Sequence, residues 1–380
     1  MLPVFLKHTI LFSEKNAIMQ RHEYIHNKRF EFECGEALPT IRLAFHTSPV
    51  KDENDWKSAV GGRKVVWICH ALTANSDAED WWPGIVGPGK VIDTEKYFVV
   101  CVNVLGSCYG SSGPSERKPD GDGFYLLDFP KVTIRDIVRA NILVRKHLGI
   151  ARIDFLIGSS IGGFQAVEWL VMEPEVIDRA LLIATSTSVS PCLTAWEAAQ
   201  RMAIEADPTF RHPELLPEDA DTHERHALKG GQAGLRAARA IALLSYRSYA
   251  GYNATQAEAD DDTLFAGRAA SYERYQGKKL ADRFDAYSYY SLSLSFDSHN
   301  VGRGRGGVAK ALSGIKSKVT AIGIDSDGCF PPEEVRSMAS QIPCAEYFEI
   351  SSTFGHDGFL LENERIGAII RKIFPSETDR

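Results

Sequence analysis

The sequence predicts an α/β fold in which a mostly parallel sheet is covered by helices on both faces. Short apolar runs rich in β-branched residues recur along the chain, and they occupy residues 63–69, 97–102, 152–157, 179–184, 318–324 and 345–350. Helical patterns at residues 132–148 and 163–172 separate some of these runs. Because the runs are apolar on both faces, they fit strands that are buried inside a parallel sheet.

Two further segments complete the predicted architecture. Residues 30–47 alternate between apolar and polar residues, which favours an antiparallel pair at the sheet edge. Between residues 186 and 313 Ala-rich helical stretches dominate and strand signals are nearly absent. A helical block inserted between two strands is expected to form a cap over the carboxyl edge of the sheet. We therefore predict an N-terminal extension (1–29), a core (30–185 and 314–380) and a helical cap (186–313).

Composition excludes several classes of protein. The 380 residues include 43 Lys and Arg against 50 Asp and Glu, and 44 % of the chain is hydrophobic, so a folded and mildly acidic protein is expected. A nucleic-acid-binding protein would normally carry a basic excess. The stretch Gly-Arg-Gly-Arg-Gly-Gly at 302–307 resembles an RNA-binding element, but one copy supplies too few clustered cations, and a surface loop is expected.

The cysteines and the apolar runs bear on cellular location. Seven cysteines form an odd, scattered set without a C-x-x-C pair, which indicates reduced thiols and neither a disulfide framework nor a zinc site. No apolar run approaches the roughly 18 residues of a membrane span. The first residues lack the features of a signal peptide. We expect a cytoplasmic protein without a membrane segment and without a bound metal.

The strongest functional signal is a G-x-S-x-G motif, Gly158-Ser159-Ser160-Ile161-Gly162. It follows an apolar strand and precedes a helical pattern, which is the context of a nucleophile elbow. In such an elbow the two glycines allow a sharp turn and Ser160 projects into the active site. A glycine-rich turn without catalysis is the alternative. The context favours Ser160 as a nucleophile.

A serine nucleophile needs a general base and an acid that orients it. In α/β-hydrolases the chain order is Ser, Asp or Glu, then His. Of the histidines that follow Ser160, only His356 lies outside the predicted cap, in a glycine-flanked loop after the last predicted strand. The acid should follow the strand at 318–324, where Asp325 and Asp327 are both available. Strand geometry alone does not choose between them.

Acyl transfer also needs hydrogen-bond donors for the oxyanion. The backbone N–H that follows the nucleophile, at Ile161, supplies one of them. The second comes from the loop after an earlier strand, and the loop His70-Ala71-Leu72-Thr73 occupies that position. We predict the Leu72 N–H as this second donor. A plain loop at the strand exit is the alternative.

A set of short motifs along the chain gives the sequence a specific resemblance to one known family. They are His70-Ala71-Leu72-Thr73, Gly87-Pro88-Gly89-Lys90, Asn103-Val104-Leu105-Gly106, Asp128-Phe129-Pro130 with Val132-Thr133-Ile134-Arg135-Asp136, the elbow, Arg274-Tyr275-Gln276-Gly277 and Gly355-His356-Asp357. In this order they resemble the homoserine O-acetyltransferase family of the α/β-hydrolase fold. The resemblance extends from about residue 30 to the C-terminal helix.

The resemblance implies roles for individual residues. The family pattern S-D-x-x-F-P matches residues 326–331 and assigns the acid to Asp327. A G-L-x-x-A-R helix of the cap places a substrate-binding arginine at Arg239, and the residue after the catalytic histidine, Asp357, is implied to bind substrate. Salt bridges of the cap or loop are the alternative for both charges. Family members commonly read G-G-S-M-G-G-M-Q at the elbow, and this chain departs from that pattern at three positions: Ser159, Ile161 and Phe164.

The implied reaction is a ping-pong transfer of acetyl from acetyl-CoA to L-homoserine, in methionine biosynthesis, through Ser160, His356 and Asp327. The resemblance implies a homodimer and requires no cofactor besides the co-substrate acetyl-CoA. Rival hypotheses are a homoserine O-succinyltransferase, a serine O-acyltransferase, a plain esterase and a non-catalytic relative. A cationic clamp in the cap, Arg239, argues against the esterase, and the intact Ser, Asp and His argue against the non-catalytic relative.

The first testable prediction concerns residues 1–18. The resemblance begins near residues 24–30, and Met19 offers a second start just before it. Deletion of residues 1–18 is expected to leave Tm and activity nearly unchanged, because a loosely attached tail contributes few contacts. A loss of more than a few degrees in Tm would show that the segment packs into the core.

Overall fold

The structure, a computed structural model, describes residues 19–53, 55–119, 121, 123–213 and 227–375. Residues 1–18, which we predict to be dispensable, lie outside the described residues. The strands in chain order are β1 (Gln20–His26), β2 (Phe30–Glu31), β3 (Ala37–Leu38), β4 (Ile41–Thr47), β5 (Val65–Cys69), β6 (Phe98–Val102), β7 (Ile153–Ser159), β8 (Ile177–Ile183), β9 (Lys318–Ile324) and β10 (Ala345–Ile350).

Eight of these strands form the central sheet, in the order β1-β4-β6-β5-β7-β8-β9-β10. The six strands β6, β5, β7, β8, β9 and β10 pair in parallel, while β4 runs antiparallel to β6 and to β1. All six apolar runs that predicted strands form strands of this sheet. The predicted α/β fold with a mostly parallel sheet is confirmed.

The amino-terminal edge of the sheet differs from the prediction. The partner of β4 at the edge is β1, which pairs from Gln20 opposite Thr47 to His26 opposite Ile41. Within the segment 30–47, β2 and β3 form a separate two-stranded sheet. The predicted extension 1–29 therefore contains a strand of the main sheet. The polar sequence of β1 concealed it, because most residues of this edge strand face solvent.

Helices cover both faces of the sheet. In chain order they are α1 (Trp56–Val60), α2 (Ala78–Trp81), α3 (Ile134–His147), α4 (Ile161–Met172), α5 (Pro191–Glu205), α6 (Pro208–Arg211), α7 (Gln232–Tyr246), α8 (Tyr249–Gln256), α9 (Arg268–Ala281), α10 (Ala286–Asp297), α11 (Val308–Leu312), α12 (Pro332–Ser340), α13 (Gly358–Leu361) and α14 (Asn363–Ile373). In the described part of the chain, no helix is long and apolar enough to cross a membrane.

Two apolar cores lie on opposite faces of the sheet. On one face Trp67 of β5 packs against Trp169 of α4, with ring centroids 5.1 Å apart. On the other face Phe155 of β7 stacks on Phe374, just after α14, at 4.7 Å. Because successive side chains of a strand point to opposite faces, each central strand contributes to both cores. This explains why the central strands read as continuous apolar runs.

Helices α5 to α11 follow one another between β8 and β9, in the segment predicted as the cap. The Gly-Arg-Gly-Arg-Gly-Gly loop lies near the end of this segment, just before α11. Arg303 forms an ion pair with Glu33 at 2.9 Å, and Arg305 pairs with the buried Glu168 of α4. Both arginines of the loop therefore bind carboxylates of the core, which fixes the end of the helical segment to the core.

Gly277, in the Arg274-Tyr275-Gln276-Gly277 motif, lies where α9 crosses α7. A Cβ atom at Gly277 would lie 2.5 Å from the carbonyl oxygen of Arg236, closer than real Cβ contacts allow. The absent side chain therefore lets the backbones of the two helices approach each other.

Replacement of Gly277 by alanine is expected to lower Tm by a few degrees. Overpacking of this kind costs about 1–3 kcal/mol, more than the roughly 1 kcal/mol that alanine gains from helix propensity. Gly314→Ala is the matched control, because its Cβ would meet no atom closer than 3.5 Å. Thermal unfolding measures both variants, and an unchanged Tm in Gly277→Ala would contradict the close crossing.

Candidate active site

Ser160 lies in a strained turn between β7 and α4. Its φ of 55° and ψ of −128° place a non-glycine residue at positive φ, which costs free energy and is rare. Its N–H donates to the carbonyl oxygen of Ile183 at 3.1 Å, and its own carbonyl accepts from the Thr185 hydroxyl at 3.0 Å. The residue is 7 % exposed. The predicted strand–turn–helix context of the G-x-S-x-G motif is therefore present.

The glycines of the motif permit close approach of backbones. A Cβ at Gly158 would lie 2.2 Å from the carbonyl oxygen of Gly162, and a Cβ at Gly162 would lie 2.1 Å from that of Cys69. The first contact lets α4 start directly above the end of β7. The second brings the start of α4 against the end of the neighbouring strand β5. Only glycine fits at these two positions.

His356 and Asp327 form a buried hydrogen-bonded pair. The ring Nδ1 of His356 lies 2.8 Å from Oδ2 of Asp327, and both residues are less than 5 % exposed. The other oxygen of Asp327, Oδ1, accepts from the backbone N–H groups of Cys329 at 2.8 Å and Phe330 at 3.0 Å. Three hydrogen bonds therefore fix the carboxylate, which leaves Nε2 of the His356 ring pointing away from Asp327.

The surroundings of His356 act on its pKa in opposite directions. Burial favours the neutral ring, but the charge and hydrogen bond of Asp327 and the charge of Asp357 outweigh burial and raise the pKa above its ordinary value. The aromatic rings of Tyr246, Phe330 and Phe359 have centroids within 5.6 Å of the imidazole. The imidazole is therefore tuned to accept a proton in an environment that excludes water.

Asp325, the alternative acid, has a different role. Its side chain accepts from the backbone N–H of Ser352 at 2.9 Å, and the residue is exposed. This bond ties the end of β9 to the segment that follows β10, which leads to His356. The structure thus pairs His356 with Asp327 and uses Asp325 to hold the loop.

The loop after β5 forms a tight turn beside the elbow. The N–H of Ala74 donates to the carbonyl oxygen of Ala71 at 3.1 Å, which closes a turn with Leu72 and Thr73 at its centre. Cys69 pairs with Gly158 in the sheet, so this turn and Ser160 leave neighbouring strands at the same edge. Ile161 opens α4, where helix N–H groups have no acceptor within the helix. The predicted oxyanion donors, Leu72 in the turn after β5 and Ile161 at the start of α4, therefore follow neighbouring strands.

His70 supports this turn from the core. Its Nε2 accepts from the N–H of Val104 at 3.1 Å, so its Nδ1 carries the proton and donates to the carbonyl oxygen of Ala71 at 2.8 Å. Burial lowers the pKa of His70 to about 4, which keeps the ring neutral and the tautomer fixed. The sequence offered His70 only as part of a motif, and its contacts give it a structural role here.

Arg239 lies on α7, and its guanidinium carbon is 5.6 Å from the centroid of the Tyr246 ring. Within the described ranges, no carboxylate lies at ion-pair distance from Arg239. The ring of Tyr246 also faces His356, so Tyr246 connects the two predicted site residues. The salt bridge that remained the alternative for Arg239 is absent among these residues.

Asp357 is in an ion pair. Its Oδ2 lies 3.1 Å from Nε of Arg247, the residue that directly follows α7. Among the residues that the structure describes, Arg247 is the cation paired with Asp357. The salt bridge that was the alternative prediction for Asp357 is therefore present. It joins the loop of His356 to the end of the helix that carries Arg239.

Sequence reasoning missed Tyr246. It lies seven residues after Arg239, two turns along the same face of α7, and this spacing was a signal that could have found it. Behind it lies a buried polar cluster: the hydroxyl of Tyr289 donates to Gln200 at 2.5 Å, and Glu197 accepts from Gln200 at 3.3 Å. Burial raises the pKa of Glu197 to about 7. Polar groups buried in this way fix the helices around Tyr246.

Comparison with known proteins agrees with this geometry. The α/β-hydrolase fold family matches residues 64–363. A homoserine O-acetyltransferase of Cyclobacterium marinum is 41 % identical over 344 residues, which cover 90 % of this chain and 92 % of that protein. The chain belongs to the homoserine O-acetyltransferase family. The resemblance of the sequence to these acyltransferases is confirmed.

Solved structures extend the family comparison to the fold. The crystal structure of the homoserine O-acetyltransferase from Bacillus anthracis superposes with a TM-score of 0.81 at 22 % identity and covers 94 % of this chain and 98 % of that one. An acetylester hydrolase from Corynebacterium glutamicum superposes with a TM-score of 0.76 at 22 % identity, covering 94 % of this chain and 96 % of that one. Acetyltransferases and esterases share the fold, so the fold alone does not separate the two activities.

Replacement of Asp327 by asparagine is expected to lower kcat/KM by roughly a thousandfold or more, because the imidazole loses its orienting acceptor. Asp325→Asn is the matched control on the same loop and should cost little, since its contact is a single hydrogen bond to a backbone N–H. Steady-state thiol release measures both. The opposite ranking would transfer the role to Asp325.

The pH profile gives an independent readout of the same pair. His356 accepts a proton only when neutral, so activity falls as pH decreases through its pKa. Because Asp327 raises this pKa, the acid limb of kcat/KM is expected above the ordinary value of 6.5 in the wild type. In Asp327→Asn the limb is expected at lower pH, and an unshifted limb would contradict this account.

Proposed function

We propose that this chain is an acetyltransferase that moves the acetyl group of acetyl-CoA to the hydroxyl of L-homoserine. Ser160 is the nucleophile, His356 the general base and Asp327 the acid that orients it. The observation that carries the proposal is the buried Asp327–His356 hydrogen bond at the sheet edge where the strained Ser160 leaves its strand. Membership of the homoserine O-acetyltransferase family supports the choice of donor and acceptor.

In the first half-reaction His356 takes the proton of Ser160 as its Oγ attacks the thioester carbonyl carbon. The carbonyl oxygen becomes an oxyanion, which the N–H groups of Leu72 and Ile161 stabilise. The intermediate collapses when the carbon–sulfur bond breaks, and His356 returns the proton to the leaving thiolate. Free CoA and acetyl-Ser160 result. Asp327 remains ionised throughout and stabilises the protonated ring of His356.

The second half-reaction uses the same groups. His356 takes the proton of the homoserine hydroxyl, whose oxygen attacks the acetyl carbon bound to Ser160. The oxyanion again forms at Leu72 and Ile161. Cleavage of the bond between Oγ and the acetyl carbon returns the proton to Ser160 and releases O-acetylhomoserine. No step calls for a metal or an organic cofactor, so the proposal includes none besides acetyl-CoA as co-substrate.

Recognition of the acceptor is assigned to Arg239 and Asp357. A guanidinium binds a carboxylate through two parallel hydrogen bonds, and Arg239 has no carboxylate of its own at ion-pair distance in the described part of the chain. Asp357 faces the ammonium group of the acceptor while Arg247 holds its Oδ2. The ion pair therefore orients Asp357 for substrate.

We also propose a pathway, a cellular location and an oligomeric state for this enzyme. Methionine biosynthesis follows from the family's activity, and a cytoplasmic location fits seven cysteines that are all without a disulfide. A homodimer is supported by large apolar side chains exposed on the helical segment between β8 and β9: Met202, Leu244, Tyr249, Leu264, Phe265 and Tyr275. The acidic net charge supports the absence of a nucleic-acid partner.

Replacement of Arg239 by alanine tests acceptor recognition. Use of homoserine is expected to weaken by about 2–4 kcal/mol, the cost of removing one partner of a desolvated charged pair. The stoichiometric burst of CoA thiol from acetyl-CoA alone should be spared, because the first half-reaction does not involve the acceptor. A homoserine ester, which lacks the carboxylate, should lose far less than homoserine.

Arg236→Ala provides the control, since Arg236 lies one turn earlier on α7 and is exposed. If the burst and the acceptor step fall together in Arg239→Ala, Arg239 is structural or binds CoA. A wild type that releases thiol equally fast with and without homoserine is an esterase. Parallel assays with succinyl-CoA and with serine distinguish the homoserine O-succinyltransferase and the serine O-acyltransferase.

A further inference from the structure

The turn that carries Leu72 is held from two sides. On the core side, His70 donates to the carbonyl oxygen of Ala71. From the helical segment between β8 and β9, the guanidinium of Arg283 reaches the carbonyl oxygen of Thr73. Ala71 and Thr73 flank Leu72 directly. The first bond acts on the peptide unit that contains the Leu72 N–H, which is assigned to the oxyanion. The second acts on the peptide unit between Thr73 and Ala74, at the end of the same turn.

Arg283 comes from a distant part of the chain. It lies between α9 and α10, 210 residues after Thr73 in sequence. Its NH1 nitrogen donates to the carbonyl oxygen of Thr73 at 2.7 Å and to the hydroxyl of Tyr109 at 2.5 Å. An amino group of a guanidinium has two hydrogens, so both bonds form at once. A single charged group thus joins the helical segment to two loops of the core.

Tyr109 is itself anchored, which makes it a firm second contact for Arg283. Its carbonyl oxygen accepts from the side chain of Asn103 at 2.9 Å, and Asn103 also accepts from the N–H of Ser76 at 2.8 Å. Its ring packs edge-on against Phe284, with centroids 5.5 Å apart. The positive charge of Arg283 also acts on the carboxylate of Asp80. The guanidinium is therefore held in place when it contacts the turn.

We propose that Arg283 is a positioning residue of the oxyanion hole, which holds the turn Ala71–Ala74 so that the Leu72 N–H faces the oxyanion. This inference rests on the proposed function, in which Ser160 is acylated and Leu72 supplies a donor. Arg283 acts through the turn and does not touch the substrate. Loss of Arg283 is expected to lower the rate, because misplaced N–H donors stabilise the transition state less, while binding of the substrate changes little.

The proposal distinguishes Arg283 from Arg239. An oxyanion forms in both half-reactions, so loss of Arg283 slows acylation and deacylation alike. Loss of Arg239 affects only the step that uses homoserine. The same logic separates Arg283 from a residue that binds CoA, because an acyl donor without the CoA moiety still passes through an oxyanion at Leu72.

The test compares Arg283→Met and Arg283→Lys with wild type, using acetyl-CoA and p-nitrophenyl acetate as acyl donors. With the ester, Ser160 Oγ attacks the carbonyl carbon, nitrophenolate leaves, and His356 takes the serine proton. Pre-steady-state release of thiol or nitrophenolate gives the acylation rate. In Arg283→Met this rate is expected to fall roughly tenfold to a hundredfold with both donors, with KM nearly unchanged. Arg283→Lys retains an N–H donor and should recover part of the rate.

Lys278→Met is the matched control, because it removes an exposed cation of α9 that pairs only locally with Asp282. It should leave the burst unchanged. Equal Tm values for the Arg283 variants and wild type separate misplacement of the turn from unfolding. Should Arg283→Met lower Tm, Tyr109→Phe, which removes only the second acceptor of Arg283, must still slow both donors for the proposal to stand.

Three outcomes would overturn the inference. An unchanged burst in Arg283→Met shows that the turn holds without it. A loss confined to acetyl-CoA and expressed in KM makes Arg283 a CoA-binding residue. If Arg283→Lys lowers the acylation rate as much as Arg283→Met does, a hydrogen-bonding role of Arg283 is contradicted. Ser160→Ala separates this test from the proposed function: a burst that survives in that variant contradicts the nucleophile, whatever Arg283 does.

Discussion

The close approach of α4 to the ends of β5 and β7 is the constraint on which the rest of the site depends. Gly158 and Gly162 leave no room for a side chain, so the helix begins directly above two neighbouring strands. This forces Ser160 into positive φ and sets the first N–H of α4 beside the turn that follows β5. Strain at Ser160 persists because the packing on every side over-determines it.

The helical segment between β8 and β9 contacts both loops to which the proposed general base and an oxyanion donor belong. Near the His356 loop, a Cβ at Gly355 would lie 2.5 Å from the carbonyl oxygen of Tyr246, so the loop packs directly on the end of α7. The ion pair of Arg247 with Asp357 reinforces this contact. Arg283 makes the corresponding contact with the turn that carries Leu72. The same helical segment therefore contacts both the loop of His356 and the turn that carries Leu72.

Much of this arrangement could be predicted from the sequence. Buried parallel strands produce apolar runs, and the elbow needs glycines at fixed spacing, so Ser160 and its strand were recognisable. Strand β1 was missed because an edge strand needs few apolar residues. Asp327 was separable from Asp325 only through the family pattern, since both end the same strand. Their difference lies in which backbone N–H groups and which imidazole they meet, and that depends on the fold of the loop.

Contacts that join distant segments were beyond the sequence for a physical reason. Arg283 and Thr73 are 210 residues apart in sequence. The acceptor is a backbone carbonyl, which every residue has, so no complementary side chain in the sequence marks the partner of Arg283. Tyr246 was closer to prediction, because helical periodicity places it on the face of Arg239. The contact of Arg283 with Thr73 makes a turn of the core depend on the helical segment between β8 and β9. With the helical segment displaced, the turn would lose one of its two braces, and the site would hold its nucleophile and base without a fixed oxyanion donor.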